Sequence, residues 1–386
     1  MRIAFYAPLK APDHPVVSGD RAMARALMAL LVGLDHEVSL ASRLRLFDKE
    51  GDEVRQRRLE RLADRECRRY LAGIKSGRRL QPDLWFTYHG YHKAPDLLGP
   101  VVTAALRIPY VMAEASIAAK QADGPWARGH ATTLAALRSA DGLLAMTEID
   151  RQGLAAVSGR RADVVLLRPF LDRGAFQDLQ PEALRAHWAE RAALPVDRPW
   201  LLAVAMMRDD VKRRSFEFLA TALAHLRGSA WHLVVAGDGP ARPALETAFA
   251  AAIPGRHTFL GTLPRREMPS LMAACDLLVW PALNEAYGMA MLEAAAAGLA
   301  VVAGRHGGVA DIVADGETGL LVDGDQKAFA AGIKEMLDAP SRRRAMGEAA
   351  KARVASLHGT EQASATLALV LARAVRAKGE ATIGRP

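Results

Sequence analysis

Two glutamates in the C-terminal half of the chain, Glu285 and Glu293, are separated by seven residues. A carboxylate accepts hydrogen bonds and donates none, so these side chains suit the hydroxyls of a sugar better than a phosphate. Between them, Gly288 opens a run rich in Ala, Met and Leu, which are strong helix formers. The first turn of this helix is predicted to bind phosphate, because its N–H groups are unpaired and lie at the positive end of the helix dipole. That turn consists of Gly288, Met289, Ala290 and Met291.

The surrounding elements must hold these groups in place. An apolar strand at residues 277–280 stops at Pro281, and Gly298 is placed to end the helix. A second apolar strand at 300–303 leads into a glycine-rich loop at 304–308. This order of strand, helix and strand predicts a parallel α/β unit. Phosphate between two carboxylates is the arrangement a nucleotide sugar needs, with Glu293 on the ribose and Glu285 on the transferred sugar.

The stretch EAYGMAMLEAAAAGLAVVAGRHGGVADIVADGETGLLV, residues 285–322, resembles the donor site of glycosyltransferase family 4. Members of that family are retaining enzymes whose first glutamate contacts the donor sugar and whose second contacts the ribose. The resemblance implies the α/β GT-B fold, in which two doubly wound, Rossmann-like domains face a central cleft. It extends over nearly the whole chain in element order and is specific in the C-terminal half.

Composition fits two soluble domains. The 386 residues are 51% hydrophobic and 24% charged, enough for two domains that each bury a core. No uncharged apolar run is long enough to span a membrane, and MRIAFYAPLK at the N-terminus lacks the apolar region of a signal peptide. Cys67 and Cys275 have neither metal-ligand nor disulfide spacing. We therefore expect a cytoplasmic protein, with peripheral contact at the inner face of the membrane as a further hypothesis.

The net charge of +8 is concentrated between residues 42 and 80, where 13 Lys or Arg stand against 7 Asp or Glu. Apolar residues recur at helical spacing from 54 to 74, and the basic segment continues to 79. The opposite face carries six arginines: Arg57, Arg58, Arg61, Arg65, Arg68 and Arg69. Two interpretations remain open, a solvated face of salt bridges or a surface for anionic lipid headgroups or a phosphorylated acceptor.

In the N-terminal half, polar residues follow several predicted strands. Gly19 lies in a loop after strand 3–7, before a helix predicted at 21–32 that Gly33 would end, and no Gly-x-Gly-x-x-Gly occurs there. His89, Glu114 and Thr147 follow later strands, so all four should share one edge of a parallel sheet. By resemblance, the Gly19 loop lines the acceptor side, and His89 and Glu114 are candidates to contact the acceptor or the donor sugar. Ordinary turn or capping roles are the alternative.

The chain departs from the family pattern in this half. Many members carry a histidine in the segment matching 110–116, and this chain has none there. Glu114 is the candidate to take its place.

After a linker predicted to end near 199, a strand at 200–205 leads into a basic loop at 206–214. By resemblance, Arg208 and Lys212 match the basic pair that grips the diphosphate, and Arg213 competes with Lys212. Two cations and a helix N-terminus can neutralise a departing nucleoside diphosphate without a metal. By the same resemblance, the backbone of Thr262 and Leu263 would hold the nucleobase. These two residues lie at the end of the strand predicted at 257–263.

We predict an acceptor domain at 1–180, with a C-terminal helix at 361–386 packing back on it, and a nucleotide-sugar domain at 181–360. The expected reaction is retaining, metal-independent transfer from a UDP- or GDP-linked sugar to a hydroxyl of a glycan, lipid or small molecule, without a further cofactor. Two alternatives stay open. One is a nucleotide-sugar epimerase of the same fold, and the other is a nucleic-acid-binding protein, suggested only by the basic charge and without an aromatic-basic motif.

Overall fold

The computed structural model describes residues 1–16, 18–158 and 162–383. The chain divides into two compact units, unit 1 with Met1–Arg168 and Thr360–Pro386 and unit 2 with Pro169–Gly359. The division therefore falls before the predicted boundary at 180/181. The reason is local, because the Leu171 N–H donates to the His358 carbonyl at 3.1 Å and ties this segment to unit 2.

Unit 1 contains a parallel six-stranded sheet in the order β2-β1-β3-β4-β5-β6. Its strands are β1 (Arg2–Tyr6), β2 (Glu37–Leu40), β3 (Leu84–Tyr88), β4 (Tyr110–Ala113), β5 (Gly142–Ala145) and β6 (Val164–Leu166). The helices between them are α1 (Gly19–Gly33), α2 (Glu53–Lys75), α3 (Gly99–Leu106), α4 (Ala127–Ser139) and α5 (Glu148–Ala155). Strands β3, β4 and β5 are buried along their whole length, as expected for a parallel sheet covered on both faces.

The start of α1 corrects one prediction. The Arg21 N–H donates to the Ser18 hydroxyl at 3.3 Å, so Ser18 caps the helix and Gly19 is its first residue rather than part of a loop. Gly33 does not cap the other end. It stays helical, and Asp35, with a φ of 58°, is the residue in the left-handed region.

Unit 2 contains a second parallel sheet in the order β12-β11-β10-β7-β8-β9. Its strands are β7 (Trp200–Val204), β8 (His232–Ala236), β9 (His257–Gly261), β10 (Leu277–Trp280), β11 (Val301–Gly304) and β12 (Gly319–Val322). Its helices are α6 (Pro181–Ala192), α7 (Val211–Ala224), α8 (Arg242–Ala252), α9 (Met268–Ala274), α10 (Met289–Ala296), α11 (Val309–Ile312), α12 (Gln326–Asp338) and α13 (Pro340–Leu357). The predicted linker before residue 199 was wrong in part, because α6 lies within it and packs on α9 with Trp188 buried.

The last helix, α14 (Thr360–Ile383), packs on β4, β5, β6 and α1 of unit 1. Its buried apolar residues, among the side chains that the structure describes, are Ala363, Leu367, Val370, Leu371 and Ala374. Gly142 makes the close approach possible, since a Cβ there would lie 2.8 Å from Val370 Cγ1. Residues 384–386 of the segment predicted at 361–386 lie outside the described residues.

Each sheet has one point where the strand order reverses. In unit 1 the chain turns back between β1 and β3, and in unit 2 between β7 and β10. Ligands of open α/β sheets bind at such points, beyond the carboxyl ends of the strands. The predicted class, α/β with two doubly wound Rossmann-like sheets, is confirmed. Across the described ranges, no helix is both long enough and apolar enough to cross a membrane.

Candidate active site

The reversal point of unit 2 brings two predicted site residues together. Lys212 Nζ forms an ion pair and hydrogen bond with Glu285 Oε2, although the two residues follow different strands, β7 and β10. Trp280 Nε1 donates to the same carboxylate oxygen at 3.2 Å. The two charged side chains are only 16% and 17% exposed, so solvent screens this pair less than a surface pair. The result is a preorganised cation and carboxylate at the position where the fold binds ligands.

The other two predicted cations lie differently. The loop predicted at 206–214 ends at Asp210, whose carboxylate accepts from the Lys212 N–H at 2.8 Å and caps α7. Arg213 in the first turn of α7 donates to Glu217 at 2.7 Å and to Asp209 at 3.0 Å. Arg208 Nε lies 3.2 Å from Asp210 Oδ2 in the exposed loop. The structure thus brings Lys212, rather than Arg213, to Glu285.

The glycine-rich loop after β11 clamps the backbone that carries Glu285. The Gly308 N–H donates to the Ala286 carbonyl at 2.7 Å. A Cβ on Gly307, whose φ is 51°, would lie 2.0 Å from the Glu285 carbonyl oxygen, and one on Gly304 would lie 2.1 Å from the Pro281 carbonyl oxygen. The sequence pattern marks this loop without indicating a role. The loop follows β11, the strand next to β10, and this position is the signal that would have suggested a role.

The N-terminus of α10 lies in the same loop region. Gly288 is its N-cap, with a φ of 82° and no capping side chain. The Met291 N–H donates to the Gly288 carbonyl at 3.0 Å, which corrects the prediction that this N–H is available for phosphate. The N–H groups of Met289 and Ala290 have no acceptor among the described residues. These two groups are therefore the ones that the helix offers to an anion.

Glu293 lies within α10 and is partly buried. Burial raises the pKa of its carboxyl, and the positive charge of Arg265 partly offsets that rise. Arg265 follows Thr262 and Leu263, the segment predicted to hold the nucleobase, in which Thr262 is exposed and Leu263 is half-buried. The predicted ribose carboxylate and the segment after β9 are therefore electrostatic neighbours in unit 2.

Unit 1 has a second polar cluster at its own reversal point. His89 Nδ1 lies 3.2 Å from Asp20 Oδ1 and 3.8 Å from Glu114 Oε1. His89 and Glu114 both adopt left-handed backbone conformations, with φ of 61° and 53°. Such strain in non-glycine residues persists where the surrounding structure enforces it and is common at functional sites. His89 and Glu114 lie at one edge of the sheet, as expected. Asp20, next to Gly19, also belongs to this polar cluster, although the sequence pattern did not single it out.

The charges within this cluster depend on one another. Burial alone would lower the pKa of the His89 imidazolium, but Glu114, Asp20 and Asp150 outweigh it, so the net shift is upward. Burial raises the pKa of Glu114, against the effect of His89. The hydrogen bond and charge of His89 overcome burial and lower the pKa of Asp20. Thr147 takes part indirectly, since its hydroxyl donates to Asp150 Oδ2 at 2.7 Å as it caps α5.

Neither cysteine belongs to these sites. Cys67 and Cys275 are free and buried, and burial raises the pKa of the Cys67 thiol to about 12. Within the part of the chain that the structure describes, no three or more His, Cys, Asp or Glu residues are grouped so that they could hold a metal ion.

Known proteins resemble this chain in sequence. Residues 191–353 match the family model described as glycosyl transferases group 1. Alpha-D-kanosaminyltransferase from Streptomyces kanamyceticus is 32% identical over 227 residues, which cover 58% of this chain and 56% of that protein. GDP-mannose-dependent alpha-(1-6)-phosphatidylinositol monomannoside mannosyltransferase from Mycolicibacterium smegmatis is 32% identical over 223 residues, covering 55% and 57%. The chain thus spans little more than half the length of these relatives.

Solved structures extend the likeness to both units. Sucrose-phosphate synthase from Thermosynechococcus elongatus superposes with a TM-score of 0.76 at 20% identity, over 97% of this chain and 99% of that one. HepE from Anabaena in complex with UDP superposes with a TM-score of 0.74 at 15% identity, over 96% and 100%. These likenesses show the fold, and the GT-B fold expected from the sequence is confirmed. Residues 191–353, which match the glycosyl transferases group 1 model, contain both the Lys212–Glu285 pair and α10.

Proposed function

We propose that the protein transfers a sugar from a nucleoside-diphosphate sugar to an acceptor hydroxyl with retention of configuration. The observation that carries this proposal is the Lys212–Glu285 pair, held at the reversal point of unit 2 beside the free N–H groups of α10. Cationic side chains and helix N–H groups stabilise phosphate, whereas carboxylates bind sugar hydroxyls. The site therefore offers complementary groups to both halves of a sugar nucleotide.

In the proposed reaction, Lys212, Arg208 and the N–H groups of Met289 and Ala290 stabilise the departing diphosphate. Glu285 binds the transferred sugar and Glu293 the ribose diol. The bond from the anomeric carbon to the phosphate oxygen breaks, and a bond to the acceptor oxygen forms on the same face. The acceptor proton passes to the leaving phosphate oxygen. This scheme needs no protein nucleophile and no metal ion.

The donors we propose are linked to UDP or GDP. One similar enzyme is named for its use of GDP-mannose, and HepE has been solved with UDP and with UDP-glucose. We infer that the acceptor is a hydroxyl of a glycan, lipid or small molecule. The name of one similar enzyme indicates a glycolipid acceptor, phosphatidylinositol monomannoside.

A thermal-shift screen with UDP, GDP and ADP tests the donor site. A nucleotide present at 100 times its Kd stabilises its binding unit by about 2.7 kcal/mol, or roughly 5–10 °C for a unit of this size. Incubation with the matching sugar nucleotide alone should then release nucleoside diphosphate slowly by hydrolysis. An isomerised sugar nucleotide would instead indicate an epimerase, and no stabilisation by any of the three nucleotides would refute the proposal.

We further propose that the outer face of α2 contacts an anionic membrane surface. Three exposed arginines, Arg58, Arg61 and Arg65, recur every three or four residues and form no ion pair among the described residues. By contrast, Arg57, Arg68 and Arg69 are paired with Glu53, Asp64 and Glu66. The unpaired row faces away from the buried residues Ala63, Cys67 and Tyr70, so it is available to lipid headgroups.

The prediction is that R58Q/R61Q/R65Q lowers binding to vesicles containing anionic lipid by about tenfold, since each arginine near such a surface contributes about 1 kcal/mol and only part of the row makes contact at once. Flotation with anionic and with zwitterionic vesicles measures this. The variant R57Q/R68Q/R69Q changes the net charge equally and should float more than R58Q/R61Q/R65Q. Equal losses in the two variants, or flotation that does not depend on anionic lipid, would argue against this surface.

A further inference from the structure

A tight turn after β3 presents two basic residues at the carboxyl edge of the unit 1 sheet. The Tyr91 N–H donates to the Ala94 carbonyl at 3.2 Å, and the Ala94 N–H donates to the Tyr91 carbonyl at 2.8 Å, so His92 and Lys93 form the tip. Both tip carbonyls are held in place. The Lys93 carbonyl accepts from the Asp48 N–H at 2.8 Å, and the His92 carbonyl packs so tightly on Gly129 of α4 that a Cβ there would lie 2.0 Å away. The turn is thus preorganised.

Further basic side chains act on this turn. Lys93 Nζ lies 4.2 Å from the centre of the Trp126 ring, and the His92 ring lies 5.7 Å from it. Burial and then the charges of Lys93, His130 and Lys120 lower the pKa of His92, so these three groups act on one imidazole. Among the described residues, Lys93, Lys120 and His130 form no ion pair with a carboxylate. We call His92, Lys93, Lys120 and His130 the His92 cluster.

A row of rings joins the His92 cluster to the polar cluster at the reversal point. The Tyr91 ring lies 5.2 Å from the His89 ring on one side and 5.2 Å from the His92 ring on the other. Asp20 and Glu114 beside His89 provide hydrogen-bond acceptors for hydroxyls, while Lys93 and Lys120 bring positive charge to the His92 cluster. Two steps between neighbouring rings therefore separate these hydrogen-bond acceptors from the lysines of the His92 cluster.

We propose that the His92 cluster is the subsite for a phosphate group carried by the acceptor, with Asp20 and His89 holding the acceptor hydroxyls. That the bound molecule is an acceptor rests on the proposed function, whereas phosphate binding by the cluster does not. Lysine ammonium groups form charge-assisted hydrogen bonds with phosphate oxygens, and a neutral histidine N–H can donate to the same oxygens. The Tyr91 ring between the two ends can pack on the apolar face of a sugar. The acceptor class is thus a phosphorylated sugar or polyol.

The test follows the proton chemical shifts of the His92 ring while chloride is replaced by inorganic phosphate at constant ionic strength. We expect a saturable shift in the parent and an apparent Kd about tenfold or more higher in K93Q/K120Q, because charge-assisted hydrogen bonds are lost. K75Q/R78Q removes the same charge at the end of α2 and should keep the parent Kd. A shift that does not saturate, or the same Kd in K93Q/K120Q as in the parent, would overturn the proposal. The exposed single variant K120Q gives a second measurement should K93Q disturb the turn.

Two further arms identify the source of the phosphate and separate the two proposals. Glucose 6-phosphate should bind more tightly than inorganic phosphate, and glucose alone much more weakly. If vesicles containing phosphatidic acid require Lys93 and Lys120 for flotation, the phosphate comes from a lipid headgroup rather than from a soluble acceptor.

Binding of UDP or GDP is measured on the same samples. Its absence would refute the proposed function and leave phosphate binding in unit 1 intact, whereas its presence without a phosphate shift would refute only the subsite.

Discussion

Glu285→Gln is expected to lower turnover of the sugar nucleotide by about 100-fold or more, which is typical when one preorganised polar group of an active site is removed. The glutamine keeps the shape of the side chain and an oxygen that can accept from Trp280 Nε1, so the fold should be retained. What is lost is the negative charge that holds Lys212 and that we propose binds the sugar hydroxyls. Release of nucleoside diphosphate from the matching sugar nucleotide measures the effect.

The partner residue should respond differently. Lys212→Gln is expected to weaken nucleoside diphosphate binding by about 10- to 100-fold, since one hydrogen bond from a charged group contributes about 1.5–3 kcal/mol. Arg213→Gln is the matched control, because Arg213 is engaged by Asp209 and Glu217 and should affect binding little. If Arg213→Gln weakened binding as much as Lys212→Gln, or if Glu285→Gln turned over at the parent rate, the site would have to be reassigned.

Gly307→Ala is expected to reduce donor binding by about 100-fold without contacting the donor. Its Cβ would lie 2.0 Å from the Glu285 carbonyl oxygen, and no side-chain rotation relieves a clash between backbone atoms. The loop carrying Glu285 must therefore shift, and a displacement of about 1 Å at an active site can cost about 100-fold. Calorimetric titration with the matching sugar nucleotide checks this, with circular dichroism to verify that unit 2 is folded.

Gly316→Ala is the control that separates the effect of the steric clash at Gly307 from the cost of placing an alanine at a positive φ. Gly316 has a φ of 76°, and a Cβ added there would meet no atom of the described residues within 4 Å, so only the conformational cost of about 1 kcal/mol applies. Gly316→Ala should lose some thermal stability and bind nucleotide like the parent. Equal binding losses in the two alanine variants would show that the Gly307 contact does not position Glu285.

Much of the local structure follows from the sequence. The apolar run before Pro281 is β10, the Ala- and Leu-rich run after Gly288 is α10, and Gly298, with a φ of 79°, follows the end of that helix as predicted. Helix starts were less predictable. Ser18 and Asp210 cap α1 and α7 earlier than expected, because a capping side chain is recognisable only when its oxygen meets an N–H of the next turn.

From the amino-acid sequence alone one can read the order of strands and helices, the polar residues that follow the strands, and the two glutamates on either side of a helix N-terminus. These are properties of residue type and periodicity over short distances along the chain. The pairing of β10 with β7, by contrast, is established by the fold, and together with the start of α7 at Val211 it brings Lys212 rather than Arg213 to Glu285. The fold also places Gly307 against the Glu285 carbonyl and Lys93 over the Trp126 ring. Such contacts join residues far apart in sequence, and they depend on how the strands pair, which local patterns do not specify.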